Sequence, residues 1–279
     1  MRPMRLDVLT PLSSSNSILE TIASLFHPPE EIDSISQLGS GNVNDTFLVT
    51  LNRNASRSAF VMQRLNTEVF EQPELVMSNL LKLGNHVEQR LAQQPPELLG
   101  RRWEVPKVLP TLDADSHWVE HQGEFWRSIT HIGAATTTDV IQDDQHAREL
   151  GYGIGMFHHL ISDLATDELA DTIENFHIAP VYLAEFDLVF SRSSDQNSRR
   201  IAEAVSFIEE RRRGIDVLEQ ACARGELKRR PIHGDPKINN VMIDNASGQA
   251  VGLIDLDTVK PGLVHYDIGD CLRSCCNRL

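Results

Sequence analysis

Near residue 132 the apolar pattern of this chain changes period, from alternation before that point to a repeat every three or four residues after it. A strand buries alternate residues and a helix buries every third or fourth, so the two parts fold into different layers. Before the change, residues 32–38, 46–51 and 59–65 are apolar and β-branched and are joined by short polar connections. They read as three antiparallel strands. Residues 117–120 and 124–132 add two more around the turn Gln122-Gly123. Pro73 opens a helix reaching about Ala92, with Leu75, Leu80, Leu83 and Val87 on its apolar side. The Ser-rich stretch 11–17 reads as a loop or arm, ahead of a short helix carrying Ile18, Ile22 and Leu25.

After the change, Ala147, Leu150, Ile154, Phe157, Ile161 and Leu164 trace one buried helix face. A long helix is expected over residues 199–223, with Gly225 as its stop. Arg211-Arg212-Arg213 within it reads as a solvated face. Residues 240–243 and 251–254 form a small hairpin across the polar turn 244–248. The expectation is an α+β chain: an antiparallel-sheet lobe over residues 1–132 and a mainly helical lobe over 133–279.

Composition narrows the function. With 26 basic and 40 acidic residues the net charge is −14, which repels phosphate backbones and argues against a nucleic-acid partner. No apolar run approaches the roughly 20 residues that span a bilayer, and no apolar region follows the basic N-terminus, so neither membrane nor secretion is expected. Four cysteines in 279 residues fit a reducing cytoplasm. Cys271, Cys275 and Cys276 lack the paired spacing of a metal site and read as structural.

The chemistry concentrates in His233-Gly234-Asp235-Pro236-Lys237-Ile238-Asn239-Asn240, followed 20 positions after Asp235 by Asp255-Leu256-Asp257. Asp235 lies in a tight loop before one strand of the hairpin, and Asp255 ends the other. A hairpin of this length brings both carboxylates and the Asn240 carboxamide to one spot. Hard oxygen ligands of this kind suit Mg²⁺, and Lys237 adds a cation where phosphate charge needs neutralising. A lone His-Gly-Asp occurs by chance in turns; the spacing, the hairpin and the second Asp make the set specific. It resembles the catalytic loop of the protein-kinase-like superfamily. The His-Gly-Asp and Asp-Leu-Asp forms resemble the aminoglycoside phosphotransferase and choline kinase branch, which acts on small molecules. The resemblance implies a bilobal kinase-like fold with ATP and Mg²⁺ as cofactors. It implies Asp235 as the group that orients and deprotonates the acceptor hydroxyl, and Asn240 and Asp255 as metal ligands, with Asp257 assisting.

Further signals fit that assignment. Gly39-Ser40-Gly41-Asn42-Val43-Asn44 sits between two expected strands, where glycines let backbone N–H groups approach phosphate. An ordinary hairpin turn favours the same residues. Gly39, Ser40, Gly41, Asn42 and Asn44 are therefore candidate nucleotide contacts. Arg64 stands where kinases carry a strand lysine, and alternation puts Met62 on its face, over the adenine. Glu74 and Glu88 are both candidates for the helix carboxylate that would pair with Arg64. Gly151, Gly153 and Gly155 lie inside a helix and read as packing positions, and His158 and His159 as ordinary helix residues.

Residues 41–47, 60–66 with 69–70 and 73–77, 235–242 and 254–262 together resemble the N-acetylhexosamine 1-kinase group of the phosphotransferase family. This implies transfer of the ATP γ-phosphate to the anomeric hydroxyl of an N-acetylhexosamine. Aminoglycoside, choline and homoserine are the alternative acceptors. In that family further helices follow the segment matching Asp267-Ile268-Gly269-Asp270, so a chain ending at Leu279 reads as one with a shortened helical lobe. An inactive, nucleotide-binding homologue is the competing expectation.

Overall fold

The alternating segments build one antiparallel sheet. The computed structural model describes residues 12–39, 43–53, 56–193 and 198–276. Helix α1 (Leu12–Ser24) precedes strands β1 (Ile32–Gln37), β2 (Asp45–Arg53) and β3 (Ser56–Leu65). Helix α2 (Pro73–Ala92) and strands β4 (Trp118–His121) and β5 (Glu124–Thr130) follow. The strand order is β1-β2-β3-β5-β4. Register decides which side chains share a face: Gln63 on β3 stands opposite Arg127 on β5, and Arg64 opposite Trp126. Phe60, Met62 and Trp126 therefore bury on one face, against Ile22 and Ala23 of α1. Leu65 and Phe125 bury on the other, against Val76, Met77 and Leu80 of α2. The Ser-rich stretch expected as a loop is helical from Leu12 onward. Burial of the helix's apolar side on the sheet outweighs the weak helix preference of serine.

The helical part begins with β6 (Ala135–Thr136) and α3 (Asp144–Leu160), whose cap Asp143 accepts the His146 N–H at 2.7 Å. Then come α4 (Ala179–Arg192), α5 (Arg199–Arg211), α6 (Val217–Ala223) and β7 (Arg230–Ile232). Strands β8 (Val241–Asp244), β9 (Ala250–Leu253) and β10 (Lys260–Gly262) and helix α7 (Val264–Cys276) complete the order. Strands β8 and β9 are the expected hairpin, with β6 on the outer side of β8. The hairpin lies on α3, where a Cβ at Gly153 would come within 2.9 Å of Val241. Its other side is pressed by the Glu104 carbonyl at Gly252. One apolar core runs from α2 through α3 to the hairpin, so the two parts share their interior.

Two expectations change here. The long helix over residues 199–223 is divided into α5 and α6 by a turn at Arg212–Gly214. Gly214 costs about 1 kcal/mol inside a helix, and Arg212 turns to Asp187 of α4 at 2.8 Å. Helix α4 itself was not expected; its apolar residues are spread around the axis, and none is buried. Among the described residues no helix is long and apolar enough to cross a membrane. Cys271 and Cys275 lie partly buried against the core, their sulfurs 3.8 Å apart.

Candidate active site

The loop after β7 is held by three elements. His233 is fully buried, and its Nδ1 accepts the Asp235 N–H at 3.2 Å. That leaves the proton on Nε2, which donates to the Ile254 carbonyl at 3.1 Å and ties the loop to the end of β9. From α7, Asp267 accepts the backbone N–H groups of His233 at 2.7 Å and Gly234 at 2.9 Å. His158 of α3 lies 2.9 Å from the same carboxylate, so this histidine is more than an ordinary helix residue. Burial would raise the Asp267 carboxyl, but His158, His233 and the Gly234 N–H together hold it below the ordinary aspartate value. Gly234 has φ +87°, and a Cβ there would sit 2.5 Å from the Thr258 carbonyl. No other residue fits this bend without displacing its neighbour.

This scaffold brings four of the expected residues together. Lys237 Nζ donates to Asp235 Oδ2 at 2.6 Å and lies 3.8 Å from Asp255 Oδ2. Burial would lower the Lys237 ammonium. The hydrogen bond to Asp235 and the charges of Asp235, Asp255 and Asp270 outweigh that and hold it above the ordinary lysine value. Lys237 is therefore a cation at neutral pH. Asn240 Nδ2 donates to the Asp235 carbonyl at 2.8 Å, which fixes the amide. Asp255 follows β9 with a left-handed backbone, φ +63°, a conformation aspartate tolerates better than most residues. Among the described residues its carboxylate takes no hydrogen bond.

Three expected residues lie elsewhere. Asp257 is buried and turned away from this group, accepting from Arg127 Nη2 at 2.5 Å and from Asn44 Nδ2 at 2.7 Å. Burial pushes its carboxyl up, against the pull of Arg127 and Asn44. Asn44 uses its carbonyl oxygen as well, on the Asn66 N–H at 3.0 Å. It fastens the end of the glycine-containing loop to the Asp257 segment. Arg64 is on the sheet face opposite Gln63 and Arg127, paired with Asp45 and, at 3.3 Å, with Glu124. Met62 shares that outer face in the core beneath α1. Glu88 pairs with Lys107 at 2.7 Å and Glu74 is exposed, so neither meets Arg64. Gly39 has φ +70° at the entry of its loop, while Ser40, Gly41 and Asn42 lie outside the described residues. The strand cation that does face the helical part is Arg127, its guanidinium fixed by Gln63 at 2.8 Å and by Asp257. Alternation makes Gln63 and Arg127 possible partners, but only the β3–β5 register puts them side by side.

This architecture recurs in solved structures. An ethanolamine kinase from Plasmodium vivax superposes with a TM-score of 0.59 at 13% identity, over 96% of this chain and 69% of that one. An aminoglycoside phosphotransferase from Streptomyces rimosus, in complex with ADP and streptomycin, gives 0.54 at 13% identity, over 92% and 82%. A choline kinase from Cryptosporidium parvum gives 0.52 at 14% identity, over 93% and 69%. At such identities the likeness is one of fold: the α+β kinase-like fold, an antiparallel sheet set on a helical part. The sequence itself matches the phosphotransferase enzyme family over residues 34–279. That span takes in the sheet, the hairpin and the loop that carries Asp235, and the chain belongs to the phosphotransferase enzyme family.

Proposed function

We propose that this protein is a small-molecule kinase that moves the γ-phosphate of ATP, with Mg²⁺, to the anomeric hydroxyl of an N-acetylhexosamine. The observation that carries the kinase reading is the convergence of Asp235, Lys237, Asn240 and Asp255 at the end of one hairpin. The sugar reading rests on the resemblance of residues 41–47, 60–66 with 69–70 and 73–77, 235–242 and 254–262 to N-acetylhexosamine 1-kinases. The ethanolamine, choline and aminoglycoside kinases of the same fold are small-molecule enzymes by name, which favours an acceptor of that size.

The donor set suits Mg²⁺. Asn240 holds its Nδ2 on the Asp235 carbonyl, which leaves Oδ1 as an oxygen ligand, and the Asp255 carboxylate is free of hydrogen bonds among the described residues. Mg²⁺ commonly takes one or two such ligands and completes its shell with water and phosphate oxygens. Bound there, it would neutralise charge on the phosphates. The chain's own residues do the rest. Asp235 accepts the hydrogen bond of the acceptor hydroxyl, aims its oxygen and takes its proton as the bond to the γ-phosphorus forms and the bond from that phosphorus to the bridging oxygen breaks, releasing ADP. Lys237 stays protonated beside Asp235 and offsets the charge of the transferring group. Gly39, Ser40, Gly41 and Asn42 would cover the phosphates with backbone N–H groups. Asn44 and Arg127 act indirectly, through Asp257, by fixing the sheet over the helical part.

Incubation with Mg·ATP and separate acceptors, followed by ³¹P NMR, tests the reading. N-acetylglucosamine or N-acetylgalactosamine is expected to yield a sugar 1-phosphate. Phosphorylation of choline, homoserine or an aminoglycoside, with none of either sugar, would overturn the sugar assignment and leave the kinase assignment standing.

A further inference from the structure

The stretch between α3 and α4 carries no catalytic motif, yet it touches both loops of the site. It starts at Ala170, whose N–H and carbonyl are both bonded by the Asn79 side chain at 2.9 Å. Lys260 holds Asp171 at 2.7 Å, and the Thr172 hydroxyl donates to the Asp257 carbonyl at 2.9 Å. The chain then bends through two left-handed residues, Asn175 at φ +59° and His177 at φ +69°. Such a conformation is unfavourable at a residue with a side chain and persists where the surroundings enforce it. At its far end the His177 imidazole meets the Gly234 carbonyl.

That contact completes a symmetrical grip on one peptide unit. The peptide that enters Asp235 has its N–H on the His233 imidazole and its carbonyl on the His177 imidazole. A carbonyl only accepts, so His177 Nε2 carries the proton. The His177 ring is itself fixed: it stacks on Tyr266 with centroids 5.7 Å apart, and Tyr266 donates to Glu219 at 2.6 Å. The His177 backbone N–H donates to the Tyr182 hydroxyl at 2.8 Å. We propose that His177 is a positioning residue whose Nε2–H fixes the Gly234–Asp235 peptide plane and thereby aims the Asp235 carboxylate. This rests on the kinase reading above, in which Asp235 meets the acceptor hydroxyl.

The test compares the parent chain with His177→Ala and His177→Gln, using Mg·ATP and N-acetylglucosamine, alongside hydrogen exchange of the peptide covering residues 230–237. His177→Ala is expected to lower kcat by about tenfold to a hundredfold, the scale of a small misalignment, with the KM for ATP unchanged. His177→Gln, which offers an N–H to the same carbonyl, is expected to recover most of that loss. Exchange over 230–237 is expected to rise in the alanine variant and to stay near the parent's in the glutamine variant. An unchanged kcat in His177→Ala overturns the proposal. So does a loss that glutamine does not recover and that comes with faster exchange in α4 rather than in 230–237. If the parent itself turns over no acceptor, the functional reading fails. The exchange arm then decides alone, and unchanged protection over 230–237 in His177→Ala overturns the positioning role.

Discussion

A single methyl group at Gly234 probes the catalytic loop at its tightest point. Its Cβ would meet the Thr258 carbonyl at 2.5 Å, on a backbone with φ +87°. Gly234→Ala is expected to cost about 1–3 kcal/mol in denaturant unfolding, and a change within error would contradict the geometry described for this bend. Asp267 makes a prediction about acid. Its folded carboxyl lies below the ordinary aspartate value because His158, His233 and the Gly234 N–H outweigh burial. Its contribution is therefore complete above the unfolded value of about 4 and is lost as pH falls through the lower folded value. Asp267→Asn is expected to be less stable at pH 7 by about 1–3 kcal/mol, with a shallower loss of stability below about pH 4; an unchanged acid slope would contradict this. Asp235, Lys237, Asn240 and Asp255 were legible in the sequence because one hairpin of readable length carries them all. Arg127 and His177 were not, since each finds its partner 50 or more positions away, through strand register or loop path that no local pattern encodes.

At the scale of elements, alternation and turn residues gave β1 to β5, α2, α3 and the β8–β9 hairpin with bounds close to those observed. Helix α4 escaped because its apolar residues are spread around the axis and leave no stripe to read. The break between α5 and α6 depends on Gly214 and on the reach of Arg212 to a neighbouring helix. Arg64 was the expected strand cation because identity at one strand position is easy to read and the face it occupies is not. The facing cation, Arg127, joins β5 to the Asp257 segment, and both side chains are almost completely buried. Arg127→Ala leaves that carboxylate buried without its partner, and about 3–5 kcal/mol of stability is expected to be lost. Adding Asp257→Asn should recover part of it by removing the unpaired charge. A loss no larger in Arg127→Ala than for an exposed arginine such as Arg199 would show that this junction does not hold the sheet in place.

For the whole molecule, the sheet and the helical part are joined by a common apolar core and by several polar contacts, three of which converge on one segment. The three are Asn44 to Asp257, Arg127 to Asp257, and Asn79 to the Val259 carbonyl. All three land on the short segment that follows Asp255, so the glycine-containing loop and the Asp235 loop are referenced to one another through it. Phosphoryl transfer asks for this kind of mutual placement more than for unusual reactivity. The net charge of −14 leaves Lys237 as a local exception, a cation set among carboxylates where phosphate would arrive. The most direct test measures acceptor-dependent ADP release in Mg·ATP for the parent and Asp235→Asn, with ATP binding followed by thermal shift. The account predicts release in the parent, a fall of about 10²–10⁴-fold in the variant, and the same ATP-induced shift in both. Equal release by the two proteins would contradict it.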